Sequence, residues 1–282
     1  MLKITIRPPP CRTGPSELLS LKAGDIYAAR EVSMATRLRI VFMIAGIAVV
    51  AVRYAAGQAG SDQAVPVLSP GVHNRTMLLD GKEGKLGIRY AISIPANYSP
   101  SNPVPLVLAL HFGGEPYGAG SSVLNILVRP ALQELGAIIV APDSAGGPWT
   151  TAQNERAVNA LLDGVLSSYN IDRKKVVVTG FSMGGAGTWH FGSKYPDRFS
   201  AAIPVSGRPT ASAEGWRLPV FAVHSRQDEV VPIDPAEARI AELQKAGVRA
   251  EMLVLTGISH YETSRFVDGL KKAVPWLKEI WK

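Results

Sequence analysis

Hydrophobic positions along the chain fall into short runs that alternate with longer, helically spaced stretches. Leu86–Pro95 places Ile88, Tyr90, Ile92 and Ile94 on one face, and this period-two pattern reads as an edge strand. Pro105–His111, Ala137–Ala141 and Lys175–Gly180 are short runs of mostly apolar residues, as expected of strands buried on both faces, and Ala201–Val205, Pro219–His224 and Ala250–Leu255 read as three more strands. Between them, Gln153–Tyr169 repeats Val158, Leu161, Leu162, Val165 and Leu166 at helical spacing. Met183–Tyr195, Pro235–Ala246, Tyr261–Ala273 and Pro275–Trp281 read as further helices, the first stopped by Pro196 and the second by Gly247. Strands separated by helices in this way predict βαβ units and a mostly parallel sheet. Residues 60–73, with their Gly, Ser and Pro, read as a linker into a domain over 74–282. The connection Gly207–Arg217 is too short for a second domain or a large lid.

Composition agrees with one sizeable folded core. Of 282 residues, 46% are hydrophobic and 19% charged, which excludes a disordered chain. Cys11 is the single cysteine, so neither an internal disulfide nor a cysteine-based zinc cluster is available. The net charge of +7 is uneven. Residues 1–59 hold eight Lys/Arg against three Asp/Glu, and the remainder is close to balanced. No dense basic stripe marks the folded part, so nucleic acid is not an expected partner.

The basic N-terminal region has a pattern of its own. Arg37 and Arg39 precede an uncharged apolar run, Ile40–Val52, and small residues including Gly57 and Ala59 follow. A basic end, a short apolar run and a small-residue cut site match a secretory signal peptide over 34–59. Thirteen helical residues reach about 20 Å, short of a bilayer core. The alternative is an uncleaved anchor, the one route by which the chain would meet a membrane. Residues 1–33 show no lasting period and read as an over-extended start ahead of Met34. The expected location is secreted or periplasmic.

Candidate chemistry begins at Gly180-Phe-Ser182-Met-Gly184, a G-x-S-x-G pattern. Alone it is weak; here it directly follows a strand and opens a helix. A reversal that tight presents the serine hydroxyl at the carboxyl edge of the sheet, beside helix N–H groups. A serine hydroxyl needs a base. His190 lies about 12 Å along the same helix and is too far. His111 and His224 end strands at the correct edge, and His260 follows the last strand in a loop able to fold back. For the acid that would orient the base, Asp228 follows the strand Pro219–His224, with Asp143 and Glu229 as rivals.

Leu110-His-Phe-Gly-Gly114, Gly180–Trp189, Tyr195-Pro-Asp-Arg-Phe199 and His224–Pro232 together resemble the α/β-hydrolase superfamily. Within it, the chain looks like the small secreted or periplasmic esterases: the predicted-peptidase and carboxylesterase-like groups, and the polyhydroxybutyrate depolymerase and feruloyl esterase relatives. The resemblance covers roughly residues 86–280 and is specific to the superfamily, not to a substrate. It implies an α/β-hydrolase fold, a mostly parallel central sheet with helices on both faces and no large lid domain. It also implies a triad in the order Ser182, Asp228, His260. The turn after His111 would supply one oxyanion-hole N–H, from Gly113 with Phe112 second, and Met183 the other. Phe112 stands where relatives usually carry glycine, and Ser225 departs from their usual His-Gly. Trp149, leaving a strand at the carboxyl edge, and His111 are the candidate pocket residues.

The expected activity is therefore hydrolysis of carboxylic esters through an acyl-enzyme, with no metal or organic cofactor. An open site would suit small-molecule, bulky or polymeric esters. A serine peptidase on the same machinery, and a noncatalytic binding domain that keeps the fold, are the alternatives.

Overall fold

A computed structural model describes residues 65–81, 84–210 and 212–282. The expected over-extended start and the leader over 34–59 lie outside the described residues. Apolar residues at successive positions of each central strand leave on opposite faces of one sheet, and each face is covered by helices. The strands are β1 (Gly71–Gly81), β2 (Gly84–Ile94), β3 (Val104–Leu110), β4 (Ile138–Pro142), β5 (Ile171–Phe181), β6 (Ala201–Val205), β7 (Val220–Ser225) and β8 (Ala250–Leu255). They lie in the order β1-β2-β4-β3-β5-β6-β7-β8. β1 pairs antiparallel with β2, and β2 with β4; every later pairing is parallel.

On one face, Leu106, Leu108, Leu110 and Val178 pack against Val158, Leu161 and Val165 of a helix over Ala152–Ser168. On the other, Val107, Ala109 and Val177 meet Leu127, Val128, Phe266, Leu270 and Leu277. Each such buried side chain contributes about 1.5–3 kcal/mol relative to exposure. The helices in chain order are α1 (Ala119–Val123), α2 (Arg129–Leu132), α3 (Ala152–Ser168), α4 (Met183–Lys194), α5 (Asp234–Lys245), α6 (Val267–Lys271) and α7 (Ala273–Ile280). Among the described residues, no helix is long and apolar enough to cross a membrane.

Two expectations are corrected, and two elements are added. β1 was not foreseen, and it takes in Gly71, Val72 and His73 from the segment read as a linker; Val65, earlier still, is buried. Only Met77 and Leu79 of β1 are deeply buried, so its apolar alternation is too short to register as a strand. β2 is consequently an interior strand, and β1 forms the edge. The second added element is the helical segment over 119–132. It starts with small residues, widens into a π turn over Leu124–Val128, and restarts around Pro130. Proline lacks the N–H needed to continue a helix, and the widened turn accommodates it.

Candidate active site

β5 ends at Phe181 and α4 begins at Met183, leaving Ser182 alone to reverse the chain. Its backbone sits at φ 56°, ψ −114°, a region that a side chain makes costly by about 1–3 kcal/mol. Hydrogen bonds hold it there: Ser182 N–H donates to Val205 O (3.0 Å), and Ser182 O accepts from Ala186 N–H (2.9 Å). The flanking glycines permit the close packing. A Cβ on Gly180 would stand 2.6 Å from Leu110 O, and one on Gly184 would stand 1.9 Å from the same oxygen.

The Ser182 hydroxyl meets His260, whose Nε2 lies 2.8 Å from Oγ. His260 Nδ1 lies 2.8 Å from Asp228 Oδ2. An ionised carboxylate can only accept, so Nδ1 carries the proton and Nε2 is left to accept from the serine. Asp228 is buried, and its Oδ1 accepts from Val230 N–H (3.1 Å) and Val231 N–H (2.8 Å). Burial alone would raise its pKa. The hydrogen bond from His260 and those two amides outweigh burial and hold the carboxyl below its usual range. The Phe181 ring lies 5.0 Å from the imidazole and backs it.

His224, the second histidine near this acid, has Nε2 2.8 Å from Val231 O and 3.3 Å from Asp228 Oδ2. Burial pushes its pKa down. Of the rival acids, Asp143 is occupied elsewhere. Its carboxylate accepts from Gly118 N–H (2.8 Å), Gly120 N–H (2.9 Å) and Arg89 Nε (3.1 Å), anchoring the start of α1. Glu229 faces the His260 loop through its backbone and not its ring, accepting from His260 N–H (3.1 Å) and from the Ser259 hydroxyl.

That loop is tied down at more points than sequence reasoning found. Ser225 Oγ donates to Ile258 O (2.6 Å), and Gln227 Oε1 accepts from Gly257 N–H. Residues 225 to 229 thus fasten 257 to 260 almost position by position. The side chain of Ser225, where relatives usually have glycine, is one of those ties. The sequence signal was that departure itself, without a partner to read it against.

Gly113 sits beside Met183: a Cβ on Gly113 would lie 4.0 Å from Met183 Cβ. Met183 opens α4, so its N–H has no partner within the helix. Phe112 packs on the apolar cluster of the α1 face. The two residues expected to line a pocket do not. Trp149 is 1% exposed and donates its indole N–H to His111 O (2.9 Å). His111 is fully buried, with Nδ1 2.6 Å from Phe112 O and Nε2 accepting from Ser144 N–H (2.9 Å). They form a floor beneath the Phe112–Gly114 turn because both side chains point back into the core layer.

The Dienelactone hydrolase family model matches residues 131–266. Feruloyl esterase C of Emericella nidulans is 28% identical over 173 residues, 59% of this chain and 64% of that protein. A bifunctional acetylxylan esterase/xylanase of Neocallimastix patriciarum is 30% identical over 149 residues, 51% of this chain and 22% of that protein. The chain therefore spans less than two thirds of the length of these curated relatives. Among solved structures, Thermogutta terrifontis esterase 2 superposes with a TM-score of 0.59 at 18% identity, covering 76% of this chain and 97% of that one. Strand order, the serine turn between β5 and α4, and these similarities lead to one assignment: the chain has the α/β-hydrolase fold, and over residues 131–266 it is similar to the Dienelactone hydrolase family.

Proposed function

We propose that this protein is a serine hydrolase of carboxylic esters. The observation that carries the reading is the unbroken path from Asp228 Oδ2 through His260 to Ser182 Oγ, with both contacts at 2.8 Å. Ser182 Oγ attacks the ester carbonyl carbon while its proton passes to His260 Nε2. Asp228 stabilises the imidazolium so formed. The N–H groups of Met183 and Gly113, with Phe112 second, stabilise the oxyanion. Collapse expels the alcohol, which takes the proton from His260, and leaves an acyl group on Ser182. Water then gives a proton to His260 and attacks the acyl carbon, and the products are the free acid and restored serine.

The relatives named feruloyl esterase and acetylxylan esterase support a substrate class: feruloyl esters and acetylated xylan are the esters to test first. Export through the segment over 34–59 is part of the same proposal. The test is hydrolysis of p-nitrophenyl acetate, feruloylated saccharides and acetylated xylan by wild type and Ser182→Ala. Turnover that falls by about 10⁶ in the variant supports the reading. An inert wild type, or a variant that keeps substantial activity, refutes it.

A further inference from the structure

Three strands across the sheet from the serine turn lies a cleft that the hydrolytic machinery does not use, and we infer that it binds a neutral oligosaccharide with Tyr117 as the stacking platform. The inference rests on the esterase reading and identifies the alcohol side of the ester. The cleft has a volume of about 820 Å³ and runs between the β1–β2 hairpin and α1, lined by Asn74, Thr76, Arg89, Tyr117, Ser121 and Asn125 among others. It starts at the carboxyl rim of the sheet, where Asp143 N–H donates to Arg89 O (2.8 Å) just past the end of β4. Tyr117 is four residues beyond Gly113, so at most about 14 Å of chain separates them. A short saccharide chain carrying an acyl group at Ser182 would reach it.

Tyr117 is 70% exposed yet held in place. The Arg89 guanidinium lies over its ring, 4.0 Å from the centroid, and Tyr117 N–H donates to Glu115 Oε1 (3.1 Å). Arg89 covers one ring face, and the residue as a whole stays largely exposed. The C–H face of a sugar ring is apolar and packs on an aromatic face, while its hydroxyls both donate and accept. The rest of the cleft matches that second requirement. The Asn74 amide and the Thr76 hydroxyl have no protein partner among the described residues. Asn125 spends its Nδ2 on Ser121 O (2.8 Å) and keeps Oδ1 to accept.

Charge decides between a neutral and an acidic sugar. Arg89 is neutralised by Asp143 at 3.1 Å. Arg75 stands directly across from Tyr90, whose ring belongs to the opposite core layer, so its side chain leaves on the far face. Arg75 contributes to the lining and has no carboxylate partner among the described residues, only Asn74 O at 2.8 Å, but with its guanidinium on the far face an anionic sugar in the cleft would meet Arg89 alone, already paired.

The test titrates Ser182→Ala protein with xylotetraose, cellotetraose and trigalacturonate by calorimetry, with and without Tyr117→Ala or Thr76→Val added. Binding of a neutral tetrasaccharide should weaken about tenfold with Tyr117→Ala and several-fold with Thr76→Val, which removes only a hydroxyl. In the otherwise wild-type enzyme, Tyr117→Ala should lower kcat/KM on partially acetylated xylotetraose about tenfold relative to p-nitrophenyl acetate, through KM. Trigalacturonate binding as tightly as the neutral sugars overturns the inference. So does an active wild type that binds none of them, or binding indifferent to both substitutions. A wild type inert on p-nitrophenyl acetate brings down the esterase reading, and the subsite's role with it.

Discussion

Ser182 is held in its unusual backbone geometry by β6 and by the first turn of α4, independently of its hydroxyl. Strain and chemistry can therefore be separated. Glycine occupies positive φ at little cost, whereas alanine keeps the strain of a Cβ. Ser182→Gly should melt higher than Ser182→Ala by the equivalent of about 1 kcal/mol, although both lack the nucleophile. Equal melting temperatures would show that the turn is not strained. Gly184→Ala faces a harder obstacle, since the new methyl group would overlap Leu110 O. The expected outcome is loss of soluble protein or a large drop in melting temperature, read by circular dichroism. The serine and its glycines were legible because the constraint is local: strand, one residue, helix. Trp149 and His111 were not, because position at a strand end specifies the edge of the sheet but not whether a side chain points out or back.

At the scale of elements, two loops after β7 and β8 converge and hold the imidazole. Sequence order suggested that Asp228 and His260 would meet, but not what keeps the His260 loop in place. The side chains of Ser225, Gln227 and Glu229 supply that. Glu229 is a positioning residue by this geometry, and the rival view makes it the triad acid. Glu229→Ala should lower kcat about tenfold with little change in KM, by loosening the His260 backbone. Glu229→Gln should recover most of that loss, because an amide oxygen still accepts from His260 N–H. A loss with Glu229→Gln as deep as that of Asp228→Ala would favour the rival. β1 and the α1–α2 segment escaped sequence reading for physical reasons. The first buries too few residues to show a period, and the second contains small residues and a proline that helices normally avoid. Five of the six apolar runs were legible as strands because burial on both faces leaves little room for polar residues; the sixth, β8, is the far edge strand, with Glu251 exposed, and its β-rich composition made it legible instead.

For the molecule as a whole, the sheet between two helical layers places His111 and His224 where water is scarce. Burial lowers both pKa values from 6.5, partly opposed by their hydrogen bonds to Phe112 O and Val231 O. The unfolded chain accepts protons near 6.5 while the folded chain resists them. This contribution to stability is therefore complete above that pH and is lost as pH falls below it. Melting temperature should be nearly level from about pH 8 to about pH 6.5 and decline toward about pH 5. His224→Gln should shallow that decline, and a flat profile in wild type would contradict it. The central claim is that Ser182 is the nucleophile activated by His260 and Asp228. Its most direct test is labelling of folded protein with a fluorophosphonate, followed by mass spectrometry of the tryptic peptides. The account predicts one phosphonyl adduct, on Ser182, with fluoride lost, and its disappearance in His260→Ala. Folded wild-type protein that stays unlabelled, or an adduct on another serine, would contradict it.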